Sequence, residues 1–149
     1  MAEFKSVFIG IDPGQSGGIA FIDGSFASAS KMPESEKDTA DMLEEFLAFE
    51  APLVCFIENV HTMPKQGISS AGKFMRHYGF LRGLLIGLKI PFEEITPQVW
   101  QKEMNCRTGG DKNVSKAKAQ QLWPNLKITH ALADALLIAE CARRRSLKS

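Results

Sequence analysis

Three carboxylates, far apart in the sequence, stand where acidic side chains have few ordinary structural uses. Asp12 ends a short β-branched apolar run at residues 7–11, and Glu58 ends a second apolar run at residues 53–57. Both runs predict buried strands. Asp134 lies in the last helical pattern, four residues after His130, so these two residues share a helix face. Because a buried, unpaired carboxylate is costly, we expect these acids to meet cations or strong donors.

Oxygen ligands of this kind indicate a hard divalent cation such as Mg²⁺. Two strand-end acids that face a helix bearing a third acid would hold such ions. Two ions can flank a scissile phosphate, where one activates the attacking water and the other stabilises the leaving oxygen. Carboxylates this close repel one another unless a cation lies between them. The sequence therefore predicts a metal site and catalytic centre of Asp12, Glu58 and Asp134, with His130 beside Asp134.

A glycine-rich turn follows Asp12 directly. Pro13-Gly14 and Gly17-Gly18 predict a tight connection to a returning strand, so that the first two strands form a hairpin. Glycines here allow another backbone, a phosphate or a nucleic acid strand to come close.

The apolar pattern alternates between strand-like and helix-like segments. Strands are predicted at residues 7–11, 19–22, 25–31, 53–57 and 91–95. Helices are predicted from Asp38, as N-cap, to residue 50; from Ser69 or Ser70 to residue 88; from Thr96-Pro97 to residue 104; at residues 114–122; and, capped by Thr129, to residue 145. This order predicts an α/β fold with a mixed five-stranded sheet flanked by helices.

Length and composition limit the class of protein. At 149 residues the chain is predicted to be a single domain, residues 1–149, with one sizeable core. No apolar run approaches the roughly 18 residues of a membrane span, and the N-terminus lacks the apolar region of a signal peptide. We therefore expect a cytoplasmic protein of a bacterial or phage-infected cell, with an organellar origin left open. Cys55, Cys106 and Cys141 are widely spaced and odd in number, which favours reduced, buried thiols over a disulfide or zinc site.

The net charge of +1 conceals a division between the two halves of the chain. Residues 1–60 carry 3 basic and 11 acidic residues, whereas residues 61–149 carry 15 basic and 6 acidic residues. Residues 61–90 contain five basic residues and no acid. This asymmetry favours a polyanion, such as nucleic acid, on one face, although a solvated basic surface is the alternative.

Four blocks of the sequence resemble the RuvC family of Holliday junction resolvases, in particular its short phage-type and organellar members. The blocks, in the order of the family, are I-G-I-D-P-G with Gly17-Gly18, F-I-E-N-V followed by M-P-K-Q-G-I-S-S, T-P-Q-V-W, and A-D-A-L-L-I-A-E. Together they span almost the whole chain. The resemblance implies a ribonuclease H-like fold, a homodimer, two Mg²⁺ or Mn²⁺ ions in each active site, and paired nicks across a four-way DNA junction.

The resemblance implies catalytic roles for the three acids, and the chain departs from the family pattern at one position. Asp12 matches the catalytic acid of the first strand, Glu58 the second acid, and Asp134 the last acid of the C-terminal helix. The family usually has a further carboxylate three or four residues before this last acid, where the chain has Ala131 and His130. We expect His130 to serve as a ligand nitrogen or as a base that helps to activate water.

The basic half supplies the predicted DNA contacts. Family members carry functional lysines in these regions, of which Lys112 and Lys116 match best, and a lysine near the scissile phosphate neutralises charge in the transition state. Trp100 and Trp123 stand among apolar neighbours and are expected in the core. The predicted DNA-binding residues are Lys65, Lys73, Arg76, Lys102, Lys112, Lys116 and Lys118, and the candidate residues for a wedge at the crossover are His61, Met63 and Tyr78.

Gly79, Gly83 and Gly87 recur every four residues in the long predicted helix and so line one side of it. Each costs roughly 1 kcal/mol of helix propensity relative to alanine, a cost that close packing of another element would offset. Internal packing is one interpretation. The resemblance favours the other, a homodimer through this helix that places two active sites on one junction.

The leading hypothesis is a metal-dependent, structure-selective DNA endonuclease. Three alternatives stay open. One is a nuclease of broader specificity for branched DNA, such as forks and flaps. A second is a junction-binding protein with weak or no cleavage, because the fourth carboxylate is absent. A third is a small actin-like or kinase-like nucleotide binder, suggested by I-D-P-G-Q-S-G-G, although one domain leaves no room for a second lobe.

Overall fold

The computed structural model describes residues 5–59 and 67–148 of the chain. The strands are β1 (Val7–Asp12), β2 (Gly18–Asp23), β3 (Phe26–Lys31), β4 (Leu53–Glu58) and β5 (Phe92–Ile95). The helices are α1 (Glu36–Glu45), α2 (Ile68–Gly87), α3 (Pro97–Glu103), α4 (Lys112–Leu122) and α5 (His130–Lys148), with a short 3₁₀ turn (Phe46–Phe49) after α1. The predicted order of elements is confirmed.

The five strands form one mixed sheet in the order β3-β2-β1-β4-β5. β1 pairs antiparallel with β2, and β2 with β3, whereas β1 pairs parallel with β4, and β4 with β5. Ile11 lies opposite Ile57 in the parallel pair, so the next residues, Asp12 and Glu58, leave the sheet at the same edge. The predicted α/β class and mixed five-stranded sheet are therefore confirmed.

Helices cover both faces of the sheet. One face carries α3, α4 and α5 over a buried cluster that includes Ala20, Phe56, Trp100, Ala119 and Leu136. The other face carries α1 and α2 over a second cluster that includes Ile9, Ile11, Leu43, Leu81 and Leu85. Strand side chains alternate between the two clusters, as the two-residue period of a strand requires.

The helix α5 lies unusually close to β1 and β2. A Cβ atom at Gly10 would overlap the carbonyl oxygen of Ala135 and the amide nitrogen of Ala139, and one at Gly18 would lie 2.7 Å from the carbonyl oxygen of Ala131. Glycine is required at both strand positions because only it lets two backbones come this close. The contact fixes the helix so that Asp134, one residue before Ala135, lies near the end of β1.

The first helix differs from its prediction at both ends. Asp38 is not its N-cap; that position is taken by Ser35, whose hydroxyl accepts a hydrogen bond from the amide of Asp38 at 3.0 Å. The helix also stops earlier, because the chain tightens into the 3₁₀ turn and then reverses at Glu50 with a φ of 50°. Ser35 is the N-cap because its hydroxyl accepts a hydrogen bond from a free amide of the first turn.

The three cysteines lie in the interior of the fold. Cys55, Cys106 and Cys141 are free and buried. None of the helices within residues 5–59 and 67–148 is long and apolar enough to cross a membrane.

Candidate active site

A cavity of about 720 Å³ opens at the edge of the sheet where β1 and β4 end. Asp12, Glu58 and Asp134 all line this cavity, so the three acids are brought together as predicted. Its other walls are the loop 13–17, residues 32–34 after β3, the first half of α2, and Lys112 at the start of α4. Segments from distant parts of the chain thus surround the three acids.

Asp12 and Glu58 form a hydrogen bond between their side chains. Two carboxyl groups can do this only when one of them carries a proton. Burial, and then the charges of Glu58 and Asp134, hold the pKa of Asp12 well above its usual range. Burial also raises the pKa of Glu58, but a hydrogen bond from Trp100 opposes that rise. The charged form is therefore more strongly disfavoured at Asp12 than at Glu58.

Trp100 holds Glu58 from the side of the core. Its Nε1 donates to Oε2 of Glu58 at 2.6 Å, and the whole Trp100 side chain is buried. The prediction that Trp100 belongs to the core is confirmed, and Trp123 packs against the same cluster while partly buried. The hydrogen bond to Glu58 was not predicted, because apolar neighbours in the sequence indicate burial and say nothing about the partner of a buried donor.

Groups on α4 and nearby positive charges stabilise the charged form of Asp134. Burial raises its pKa, whereas a hydrogen bond from Ser115 and the charges of Lys112 and His130 lower it. Ser115 is buried, and its hydroxyl also lies 3.1 Å from the carbonyl oxygen of Lys112. A hydroxyl has one proton, so it donates to one of these acceptors at a time. Sequence reasoning missed Ser115, since nothing marks it apart from its place one turn after Asp111.

The donor set suits a divalent cation by its chemistry. The three acids supply only oxygen atoms, which suit a hard cation. Burial raises the pKa of Asp12, and the charges of Glu58 and Asp134 raise it further. A cation would relieve the repulsion from those two charges. Within residues 5–59 and 67–148, however, no three His, Cys, Asp or Glu side chains form a ready-made metal-binding group.

His130 stands apart from the cavity. It is the first residue of α5, one turn before Asp134, and its side chain is exposed. Its charge acts on Asp134, but His130 is not among the described residues that line the cavity. The structure thus brings the three acids together and leaves the imidazole at the surface near the third.

Two of the predicted DNA-binding residues line the cavity. Lys73 reaches it from α2 and Lys112 from the start of α4, and both are exposed. Asp111 is the N-cap of α4 and accepts a hydrogen bond from the amide of Asn113 at 2.9 Å. This cap starts the helix two residues earlier than predicted and so places Lys112 in its first turn.

The remaining predicted DNA-binding residues lie elsewhere. Arg76 is exposed on α2, and Lys116 and Lys118 are partly buried along α4. Lys102 lines a separate cavity of about 1040 Å³ together with Arg107 and Arg145. The predicted residues that lie outside the described ranges are His61, Met63 and Lys65.

Tyr78 is not available as a wedge at a DNA crossover, and that prediction is wrong. Its side chain is 7% exposed, and its hydroxyl donates to Oε1 of Glu94 at 2.6 Å. Nε of Arg82 lies 2.9 Å from the same oxygen. Burial, followed by the bond to Glu94, raises the pKa of Tyr78. An aromatic side chain in a long helix packs on the sheet when its position faces the core.

Sequence reasoning also missed the face of α2 that lines the cavity. Ser70, Phe74 and His77 lie there with Lys73. Burial lowers the pKa of His77, and its Nε2 is buried without a hydrogen-bond partner in the described part of the chain. Spacings of three and four residues place all four side chains on one side of a helix, and this spacing was the available signal.

The solved structures most similar to this chain include junction resolvases. T. thermophilus RuvC in complex with a Holliday junction substrate matches with a TM-score of 0.67 and 16% identity, over 96% of each chain. A second Thermus thermophilus RuvC structure matches with a TM-score of 0.58 and 14% identity, over 95% of this chain and 96% of that one. The yeast mitochondrial Holliday junction resolvase Ydc2 matches with a TM-score of 0.55 and 17% identity, over 97% of this chain and 79% of that one.

These matches establish the fold. The chain has the RuvC-like, ribonuclease H-like architecture that the sequence resemblance implied. No protein-family model matches the sequence, and no curated protein sequence does.

The buried acids make a prediction about stability and pH. The raised pKa values of Asp12, Glu58 and Asp134 mean that the folded chain binds more protons than the unfolded chain, so without a divalent cation the free energy of unfolding should fall as pH rises from about 4. Asp12→Asn should reduce this fall and stabilise the metal-free protein at pH 7 by about 1–3 kcal/mol, the usual cost of an uncompensated buried polar group. Urea unfolding between pH 4 and pH 8 measures both effects.

The matched control is Asp23→Asn, which removes an exposed carboxylate from the opposite end of the same hairpin. It should leave the pH profile as in the wild type. A profile for Asp12→Asn as steep as that of the wild type would show that the buried acids do not carry the effect.

Proposed function

We propose that this chain is a metal-dependent, structure-selective DNA endonuclease that resolves four-way junctions by paired hydrolysis of phosphodiester bonds. The observation that carries this proposal is the convergence of Asp12, Glu58 and Asp134, from β1, β4 and α5, on one open cavity. The fold supports it, because a similar structure is that of T. thermophilus RuvC with a Holliday junction substrate. The cavity is open to solvent along a surface where basic side chains stand.

Asp12, Glu58 and Asp134 would hold Mg²⁺ or Mn²⁺, two ions in each site, with His130 as the fourth candidate ligand. Such ions supply Lewis-acid chemistry, which makes water a stronger nucleophile at neutral pH and neutralises charge on the phosphate. The protein's part is to present the carboxylates in their charged form. The charge of Lys112 lowers the pKa of Asp12 and so favours its charged form.

Lys73 and Lys112 would hold the phosphate that is cut. They reach the cavity from two different helices, and the charge of Lys112 acts on both Asp12 and Asp134. Positive charge placed before the reaction stabilises the transition state without reorganisation. The residues proposed to contact phosphates further along the DNA are Lys65, Arg76, Lys102, Lys116 and Lys118. Such contacts position DNA without reading its sequence.

The exposed face of α2 supports a homodimer. A Cβ atom at Gly79, Gly83 or Gly87 would meet nothing within 4 Å, so these glycines do not serve packing against the described part of the chain. Apolar side chains share this face, since Ile68 and Ile86 are 93% and 61% exposed. A second copy packed here would cover them and would supply the second active site that paired cleavage needs.

One observation favours a second candidate, a junction-binding protein that cuts weakly or not at all. The described residues contain no ready-made metal-binding group, and the fourth carboxylate of the family is replaced by His130 or Ala131. Binding and cleavage must therefore be measured separately.

The central prediction concerns Asp12→Asn. With a labelled mobile four-way junction and Mg²⁺ or Mn²⁺, the wild type should place symmetric nicks, and the variant should cut roughly 100- to 1,000-fold more slowly, because losing ion stabilisation removes several kcal/mol from the transition state. Junction binding, measured by gel shift in Ca²⁺, should persist. Asp23→Asn is the control for loss of one carboxylate and should cut at the wild-type rate.

Tight binding of the junction by the wild type with no nicks in either metal would favour the second candidate. Nicks of equal rate in forks, flaps and junctions would favour a nuclease of broader specificity. ATP binding without junction binding would overturn the proposal in favour of a nucleotide binder.

A separate prediction tests His130. If it helps to hold the second ion, His130→Asp should keep cleavage and change the ratio of Mn²⁺ to Mg²⁺ activity, because a carboxylate is a harder ligand than an imidazole. His130→Ala should lower the rate by about tenfold or more, as loss of a supporting metal ligand commonly does. Unchanged rate and metal preference in both variants would remove His130 from the site.

The dimer makes a further prediction. Gly83→Glu should convert the dimer to a monomer, because it places a charge on the exposed face of α2, while the fold tolerates it, since space is open at Gly83. Light scattering coupled to gel filtration measures the mass. Ala117→Glu, which adds the same charge at an exposed position of α4, should leave the mass unchanged. A wild-type chain that is monomeric, or a Gly83→Glu variant that stays dimeric, would exclude this interface.

A further inference from the structure

We infer that Trp100 is a positioning residue for Glu58, and that its indole N–H fixes the carboxylate for cation binding while its fluorescence reports the bound ion. The inference deepens the proposed function, on which it rests only through the role of Glu58 as a ligand. It starts from a hydrogen bond of 2.6 Å between Nε1 of Trp100 and Oε2 of Glu58.

This hydrogen bond is obligatory for Trp100. The side chain has no measurable exposure, and Nε1 is its single polar atom, which can donate and never accept. A buried donor without a partner is costly, so the indole needs the acceptor at Glu58. Burial of Trp100 in the core thus restricts the orientation of an acid in the cavity.

The backbone fixes donor and acceptor to the same short segment. Glu58 pairs with Ile95 across the parallel strands β4 and β5, and the carbonyl of Ile95 accepts from the amide of Asn59 at 2.8 Å. The next residue, Thr96, is the N-cap of α3, and its carbonyl accepts from the amide of Trp100 at 3.3 Å. A few residues of regular structure therefore set the position of the indole relative to the acid.

The chemistry of the indole suits this task. It is neutral and holds no lone pair that could compete for a cation. It donates to Oε2 of Glu58 and not to Oε1. Donors that hold metal-ligating carboxylates from behind orient the ligand and tune its affinity.

Core packing alone would also explain a buried tryptophan, and the substitution Trp100→Phe separates the two roles. Phenylalanine keeps an aromatic ring in the core but removes the N–H. The chain offers a matched control in Trp123→Phe, because Trp123 packs against the same apolar cluster. Both variants lose an indole, and only the first loses the bond to Glu58.

The first measurement is the affinity for Mn²⁺, by titration calorimetry of the purified full chain without DNA. Trp100→Phe should bind Mn²⁺ about tenfold more weakly than the wild type, as loss of a supporting donor commonly causes. Trp123→Phe should bind as the wild type does. Circular dichroism confirms that each variant is folded at the temperature of the titration. Equal Mn²⁺ affinity in Trp100→Phe and the wild type would overturn the inference.

The second measurement uses tryptophan emission, since the chain contains only two tryptophans. Trp123→Phe leaves Trp100 as the sole indole, and saturating Mg²⁺ should shift or quench its emission because the acceptor at Nε1 becomes a metal ligand. In Trp100→Phe the remaining Trp123 should not respond. If Trp100→Phe fails to fold, Glu58→Gln in the Trp123→Phe background takes its place and should abolish the Mg²⁺ response.

The outcomes distinguish this inference from the proposed function. Metal-dependent emission in a chain that does not cut junctions would sustain the role of Trp100 and overturn the nuclease. A different result would overturn the role of Trp100 and sustain the nuclease. In that case the wild type would cut junctions with Mg²⁺, and calorimetry would show that Mg²⁺ binds, but the emission of Trp100 would not respond to it.

Discussion

The close contact of α5 with β1 and β2 is the constraint on which the site depends. At Gly10 and Gly18 the strands offer no Cβ atoms, and the helix backbone comes down onto them at Ala131, Ala135 and Ala139. A larger residue at Gly10 would lift the helix and carry Asp134 away from the ends of the strands. Tight backbone packing, rather than any attraction between the acids themselves, therefore brings the third carboxylate to the other two.

The packing of α5 on β1 and β2 has an electrostatic cost, because it brings acidic side chains together. Three carboxylates meet in a partly buried cavity, and burial raises the pKa of each. The surrounding groups reduce the cost unequally: Trp100 donates a hydrogen bond to Glu58, Ser115 and Lys112 lower the pKa of Asp134, and the pKa of Asp12 stays well above its usual range. A fold selected only for stability would replace at least one of these acids by a neutral residue. A divalent cation bound among the three acids, as the proposed function requires, would relieve this repulsion.

Much of this arrangement was predictable, because an acid that ends an apolar strand is visible in the sequence. Asp12 and Glu58 were correctly placed at the ends of two strands, and a mixed sheet followed from the alternating order of elements. The supporting donors were not predictable. Trp100 joins Glu58 across the core, and Ser115 reaches Asp134 from another helix, so neither contact has a local pattern. Tyr78 was misjudged for the same reason: its partner Glu94 belongs to β5, and only the tertiary structure shows that this side of α2 faces the sheet.

The helix α2 connects the cavity to the proposed partner surface. One side of α2 places Ser70, Lys73 and His77 at the cavity. On the opposite side, Gly79 and Gly83 have open space around them. A partner that packs on the glycines would contact the same helix that places Lys73 at the cavity. Because a helix moves as a unit over a few turns, a second copy packed on α2 would also affect the position of the Lys73 side chain. Residues 61–90 are basic and contain no acid, and an acid beside the cavity would repel the phosphates that the proposed function requires the site to hold.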